Sequence, residues 1–555
     1  MITNPILPGF NPDPCICRKG DDFYLAVSTF EWLPGIPIYH SKDLRNWELY
    51  THVLNDEIVD LKGVPSAKGI WAPDLSYCEA EDKFYMIYGV MNNMNARYFD
   101  IDNYLMTADS IEGPWSEPVY IHSAGFDASI FHDDDGKKYI LSLDWETRDN
   151  YEKPGVINIV EYDADKKEVV GYPKRFWRGT TDRGCIEAPR LTKHGSYYYI
   201  MCAEGGTGYN HSVSIGRCKT IYGEYERDPK GAAVTSVPIE HNERADYDHL
   251  KPKYFNPDSV LQKSGHGSYV NLDDNSVYLV HLTARPFVTD DSDIRSKYRC
   301  TLGRETAIQK MCWTDDGWLR MADGSNLAKI EVEEPNLPEY EFEPVKSHDD
   351  FDNDILENFY YTPRISAKRF CDLDSRKGWL RVRGQEALTS LNKVSLLCRK
   401  LTSVQATFTT RMNFEPEVFQ QSAGVVIYYD NMNYAYLRKY YSETLGGCAL
   451  MLQQMENGVR KQWLDNRVKV DPGRDIYLRI VIKGRSLAFQ WSYDGVSWMQ
   501  MGPTLDTSVY SDEYCKYGEF TGTMVGVACI DRMMHSKCAD FDFIDYEADE
   551  SAAVE

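Results

Sequence analysis

The chain alternates short apolar runs with polar turns and shows no sustained helical period. Runs of this kind, bounded by Gly, Asp or Asn, predict β-strands. One unit recurs five times: a polar turn, then an aromatic-rich apolar strand. It reads "GDDFYLAVS" (20–28), "EDKFYMIYG" (81–89), "DGKKYILSL" (135–143), "HGSYYYIMC" (194–202) and "DNSVYLVHL" (274–282). The matching tyrosines are Tyr24, Tyr85, Tyr139, Tyr199 and Tyr278, spaced 61, 54, 60 and 79 residues apart. A shorter strand precedes each turn, so every unit opens with a hairpin. Five such repeats, β throughout, predict a five-bladed propeller. "HDDDG" (132–136) resembles a calcium loop, but its place in the series makes it a hairpin turn.

The repeat fades near residue 325, and the stretch 331–352, "EVEEPNLPEYEFEPVKSHDDFD", is acidic and carries proline. Alternation then returns. In "VQATFTTRMNF" (404–414), Val404, Ala406, Phe408, Met412 and Phe414 share one face, with Thr410 the exception. Segment 477–495 reads as a further hairpin. The pattern predicts an all-β chain with a propeller over 1–328, a linker over 329–350 and a β-sandwich over 351–555.

Composition narrows the partners. A net charge of −24 argues against nucleic acid and anionic membranes, and aromatics at 13% include 39 Tyr and 12 Trp, side chains suited to stacking on sugars. The start "MITNPILPGFNPDP" has no basic residue and no apolar core, so it reads as no signal peptide. With 14 scattered cysteines this favours a reducing cytoplasm.

The innermost strand of each blade lines a common channel. Counting back from the aligned tyrosines brings Asp13, Trp71, Asp127, Glu187 and His266 to one station. "DPCI", "DASI" and "HGSY" align, as do "WAPDL" and "EAPRL". Asp13 lies between Pro12 and Pro14 in "GFNPDPCI", which predicts an extended, stiff backbone. Three carboxylates sharing a channel repel one another and shift their pKa values, an arrangement associated with function rather than stability. The chemistry that fits is glycosidic hydrolysis, which needs a protonated carboxyl beside an ionised one. Trp71 would wall a sugar subsite. His266 is open to three readings: ligand to a cation, hydrogen-bond donor to substrate, or a satisfied core imidazole.

These residues, with "GFNPDP", "STFEWLPG", "HSKDL", "WAPDLSY", "GFDASIFHDDDGKKY", "EAPRL", "EGGT", "LGRETAIQK" and, further on, "FQQSAGVVIYYD" and "ADFDF", resemble the β-xylosidase branch of glycoside hydrolase family 43. The resemblance implies a five-bladed propeller followed by a concanavalin-like β-sandwich, and inversion at the anomeric carbon. It makes Asp13 the general base, Glu187 the general acid and Asp127 the group that tunes and orients the acid. Arg304 would hydrogen-bond substrate hydroxyls. Phe30, Trp71 and Phe126 would wall the terminal sugar site, Thr207 and His266 would line its floor, and Phe520 would close it from the sandwich. No cofactor is required, although a divalent cation (Ca²⁺ or Mg²⁺) in the channel near His266 is compatible with the resemblance. Gly208 and Glu519 depart from the family pattern, which carries arginine and phenylalanine there.

The expected activity is exo-acting release of D-xylose from non-reducing ends of short xylo-oligosaccharides, with α-L-arabinofuranosidase side activity. The rivals are a mainly arabinofuranosidase enzyme, a retaining fructan or sucrose hydrolase, and a non-catalytic carbohydrate-binding propeller. A homo-oligomer, dimer or tetramer, is implied by the resemblance.

Overall fold

A computed structural model describes residues 1–95, 98–148, 155–179, 181–238, 241, 255–293 and 297–554. Five antiparallel sheets follow one another along the first part of the chain, each of four strands in sequence order, apart from the fourth, which carries one more short strand. The first pairs Cys15–Lys19, Asp22–Ala26, Gly35–Ser41 and Glu48–Leu54, and the other four open with Gly69–Cys78, Phe126–His132, Glu187–His194 and Gln262–Asn271. The five repeated tyrosines all fall on second strands. This is the five-bladed propeller that the repeat predicts.

Both faces of a blade are covered by its neighbours, so the second strands read as nearly continuous apolar runs. Val277–Ala284 is buried at every position. The ring closes through one such inter-blade core, in which Ile16, Leu25 and Val27 of the first blade meet Val270, Tyr278 and Ile308 of the fifth. The N-terminus adds a clasp: Ile2 and Thr3 pair with Val332 and Glu331.

The strands that follow build a nine-stranded and a seven-stranded sheet around their own core of Leu, Ile, Val and Phe side chains. Thr410 shares the buried face that alternation predicts, and its hydroxyl is satisfied by donating to the Phe543 carbonyl at 2.6 Å. The acidic segment between the two bodies is anchored along its length. Val332 belongs to the N-terminal clasp, the Tyr340 N–H donates to Asp43, and His348–Asp349 pairs with the last long strand.

The two bodies pack tightly. Thr362 and Pro363 pair with Leu33 and Trp32 of the propeller, and Tyr428 meets Trp32 edge-on at 5.7 Å. Gly303 (φ 81°) and Gly522 let two loops touch. A Cβ on Gly303 would lie 2.7 Å from the Gly522 backbone, and one on Gly522 would lie 2.8 Å from the Leu302 carbonyl. That approach brings a sandwich loop onto the mouth of the channel.

Candidate active site

Each inner strand enters the channel through a left-handed residue. These are Asp13 (φ 57°), Ala72 (φ 36°), Asp127 (φ 52°), Ala188 (φ 51°) and His266 (φ 53°). In the last four blades a break in strand register accompanies it. A left-handed backbone at a non-glycine residue costs about 1–3 kcal/mol, and such strain collects where a side chain must be aimed. Asp13 is therefore not extended, as its prolines predict. The left-handed entry common to the five blades overrides the local preference.

The same series corrects the sequence register by one position. Ala72 and Ala188, not Trp71 and Glu187, are the equivalents of Asp13, Asp127 and His266. Trp71, Phe126 and Glu187 occupy the preceding position, and both positions reach one pocket. Two residues further on, Cys15, Asp74, Ser129, Arg190 and Ser268 line a second cavity beneath it. There Arg190 Nε pairs with Asp74 Oδ1 at 3.1 Å.

The pocket has a volume of about 220 Å³ and is lined by Asp13, Phe30, Trp71, Phe126, Asp127, Glu187, Thr207, His266, Arg304, Glu519 and Phe520. All ten residues assigned to it from sequence are present. Met94, Phe99 and Trp145 also line it, and Gly208 does not. The aromatic wall is continuous: Trp71 lies 6.2 Å from Phe30, 5.7 Å from Phe126 and 6.0 Å from Phe520, with the rings edge-on in each pair. Lys68 sits 5.7 Å from the centres of both Trp71 and Phe520. Burial lowers its pKa, and the charge of Glu519 opposes that shift.

The three carboxyls are held differently. Ser28 Oγ donates to Asp13 Oδ2 at 2.7 Å, and Asp13 Oδ1 lies 3.4 Å from His266 Nδ1. Burial raises the Asp13 pKa, while Ser28 and the charges of Arg304 and Arg190 pull it back. Asp127 Oδ2 accepts the Ala188 N–H at 3.1 Å, gripping the backbone next to Glu187. Its own pKa is raised well above the ordinary range by burial, then by Glu187 and Asp13. Burial and the charge of Asp13 raise Glu187 to about 8. Of the three, Asp13 has the most donors and cations around it, so it ionises first and leaves Glu187 protonated at neutral pH.

Sequence reasoning missed His211. Its Nδ1 lies 3.0 Å from the Lys263 carbonyl, and burial lowers its pKa to about 4. The ring is thus neutral and Nδ1 carries the hydrogen. The lone pair of Nε2 faces Glu187 Oε1 at 3.6 Å, which favours the protonated acid. The only signal was a histidine four residues beyond the "GGT" motif.

Asp512 was missed too, because nothing in "YSDEYCKYGEF" marks it. It is buried, and its Oδ2 lies 2.6 Å from Arg304 Nη1 and 3.1 Å from Lys263 Nζ. Its Oδ1 accepts from the Tyr429 hydroxyl at 2.7 Å and the Phe520 N–H at 3.1 Å. Arg304 is fixed further by Nε donating to Thr207 Oγ1 at 3.1 Å and Nη2 donating to the Thr207 carbonyl at 2.8 Å. One sandwich carboxylate therefore positions both Arg304 and Phe520.

The raised Glu187 pKa carries a stability consequence. The folded protein keeps a proton up to about pH 8 that the unfolded chain loses near 4.5. Stability is therefore favoured at low pH and falls as pH rises through that window. Glu187→Gln is expected to raise Tm at pH 8 and to leave it unchanged at pH 4.5 in thermal unfolding. A shift of the same size at both pH values would refute the assignment.

Comparison with known proteins agrees with the site and the fold. Residues 2–319 match the profile of "Glycosyl hydrolases family 43", and residues 348–547 match "Beta xylosidase C-terminal Concanavalin A-like domain". The chain is 39% identical to "Beta-xylosidase" of Bacillus subtilis over 98% of this chain and 99% of that protein. It is 36% identical to "Xylosidase/arabinosidase 43B" of Humicola insolens over 98% and 97%. It superposes on the crystal structure of xylan beta-1,4-xylosidase from Bacillus halodurans with a TM-score of 0.91 and 40% identity, covering 99% of this chain and 100% of that one. The chain belongs to glycosyl hydrolases family 43 and is an enzyme that cleaves glycosidic bonds.

Proposed function

We propose that the protein is an exo-acting, inverting β-xylosidase that takes D-xylose from the non-reducing ends of short xylo-oligosaccharides and has α-L-arabinofuranosidase side activity. The observation that carries it is the pairing of a carboxyl raised to about 8 with a second carboxyl held by Ser28, inside a small aromatic pocket. Asp13 takes a proton from the attacking water. Glu187 gives its proton to the leaving oxygen. Asp127 holds the strand segment that carries Glu187, while burial and the charge of Asp13 keep that acid protonated. Arg304, Thr207 and the aromatic wall bind the terminal sugar. Phe520, brought over the pocket by the sandwich, favours cleavage at chain ends over internal cutting.

Steady-state kinetics on p-nitrophenyl β-D-xyloside and α-L-arabinofuranoside test the substrate, with a higher kcat/KM expected for the xyloside. Proton NMR is expected to show α-xylose as the first anomer released from a β-xyloside. A preference for the arabinofuranoside would overturn the substrate reading, and β-xylose first would overturn inversion.

The chemistry needs no cofactor. Among the described residues no three His, Cys, Asp or Glu side chains cluster in a metal-holding arrangement. His266 Nε2 is buried without a partner. A divalent cation would attach through that nitrogen, with water completing its shell, and no step above runs through it. Dialysis against EDTA is expected to leave kcat within twofold. A loss reversed by Ca²⁺ or Mg²⁺ would refute this.

A cytoplasmic location and assembly into a dimer or tetramer belong to the same reading. The 13 cysteines other than Cys185 are free thiols, as a reducing compartment favours, and no described helix is long and apolar enough to cross a membrane.

A further inference from the structure

We propose that the outer face of the seven-stranded sandwich sheet carries a second binding site, for a carboxylated oligosaccharide. Strand alternation creates this face. Along Asn433–Ser442, Ala435 and Leu437 enter the sandwich core, while Tyr434, Arg438 and Tyr440 take the opposite side. Along Gly447–Glu456, Leu450 and Leu452 go in, while Met451 and Gln453 go out. One end of the face packs on the propeller through Tyr428. The other end forms a groove of about 480 Å³, within the usual size of ligand sites, about 300–1,000 Å³.

The charge of this groove opposes that of the molecule. In a chain of net charge −24, its lining holds four arginines, Arg438, Arg460, Arg467 and Arg532, against one carboxylate, Glu443. Arg467 is engaged with Thr444 and the Leu464 carbonyl. Arg438, Arg460 and Arg532 form no ion pair among the described residues. The Arg438 Nε is buried with no hydrogen-bond partner, and its guanidinium lies 4.9 Å from the centre of the Tyr440 ring. Leaving a buried guanidinium nitrogen unmatched is costly, and a planar carboxylate is the complementary partner of the group that carries it. Burial lowers the Arg438 pKa, whereas Asp512 helps raise that of Arg304.

The rest of the lining suits a sugar. Phe419, half exposed in the groove, offers a flat apolar face. Gln462 Nε2 donates to Gln453 Oε1 at 3.1 Å, and Gln453 Nε2 donates to the Tyr434 hydroxyl oxygen at 3.4 Å. That chain leaves the Tyr434 O–H and the Gln462 carbonyl oxygen for ligand hydroxyls. Resting on the β-xylosidase reading proposed above, the occupant is a xylo-oligosaccharide bearing a uronic acid, held outside the catalytic pocket.

Calorimetric titration of the full chain carrying Glu187→Gln tests this, using a glucuronic-acid-substituted xylotriose and neutral xylotetraose. The acidic sugar is expected to occupy one site more than the neutral one. Adding Arg438→Met should weaken that extra site at least tenfold, and so should the exposed Arg460→Met, which leaves the sheet untouched. In the otherwise unaltered protein, Arg438→Met should leave p-nitrophenyl xyloside hydrolysis within twofold. The proposal fails if both sugars bind alike and neither substitution changes the titration. It also fails if Arg438→Met lowers the sedimenting mass without altering sugar binding, which would make the face a contact between copies of this chain. The extra site is read through the arginines, so turnover remaining in Glu187→Gln would count against the assignment of Glu187 alone.

Discussion

Asp13→Asn is expected to lower kcat on p-nitrophenyl β-D-xyloside by roughly 10²–10⁴-fold, the usual worth of a positioned general base. KM should change little, because the introduced amide keeps the shape of the side chain and can still engage Ser28. The fold should survive, since Asp13 contributes an aimed carboxyl and no core packing. The substitution also removes a like charge from the cluster. Asp13 is one of the causes holding Glu187 at about 8. Without it the Glu187 pKa falls, so the alkaline limb of the residual kcat/KM profile moves to lower pH. A variant that merely damaged the pocket would lose rate without moving that limb. Azide needs no general base and can take the place of the attacking water, so it is expected to restore part of the turnover, with α-xylosyl azide as product. A fully active Asp13→Asn protein would end the assignment.

Much of this was legible in the chain, for a physical reason. A blade cannot bury its own faces, so each repeat must carry a nearly continuous apolar strand after a tight turn, and that pattern at Tyr24, Tyr85, Tyr139, Tyr199 and Tyr278 shows through a single sequence. The carboxyls could be placed because repeat position maps onto one axis. The one-residue error at Trp71 and Glu187 arose because tyrosine counting follows the outgoing strand, whereas aim is set by the left-handed residue on the incoming one. Proline rules pointed to an extended Asp13 because they describe local sterics, and the left-handed entry repeated in all five blades outweighs them. His211 and Asp512 stayed hidden for another reason. Each acts through a contact distant in sequence, Glu187 for one and Arg304 for the other, and no spacing encodes such contacts.

Asp512→Asn is the second large effect expected. The substitution keeps the size of the side chain and removes its charge. It leaves Lys263 with Glu513 at 2.7 Å but takes from Arg304 the carboxylate 2.6 Å away. Hydrogen bonds to charged groups contribute about 1.5–3 kcal/mol, so kcat/KM on xylosides should fall roughly 10–150-fold. The loss should appear mainly in KM, because Arg304 and Phe520 bind the sugar and transfer no proton. Phe520 responds as well, since its N–H donates to the same carboxylate. Arg304, no longer drawn toward Asp512, would turn its charge to the catalytic carboxyls. That would pull the Glu187 pKa down and shift the alkaline limb of kcat/KM to lower pH. Asp512→Glu, which restores the charge at a slightly longer reach, should recover part of both effects. Removing one member of a buried ion pair also destabilises a fold by about 3–5 kcal/mol, so Tm will drop in either reading. The KM increase and the pH shift separate the two. A lower Tm with KM and the pH profile unchanged would reduce Asp512 to a strut between the sandwich and the propeller. With both changed, the sandwich supplies part of the sugar-binding machinery, which would explain why it is pressed glycine against glycine onto the mouth of the channel.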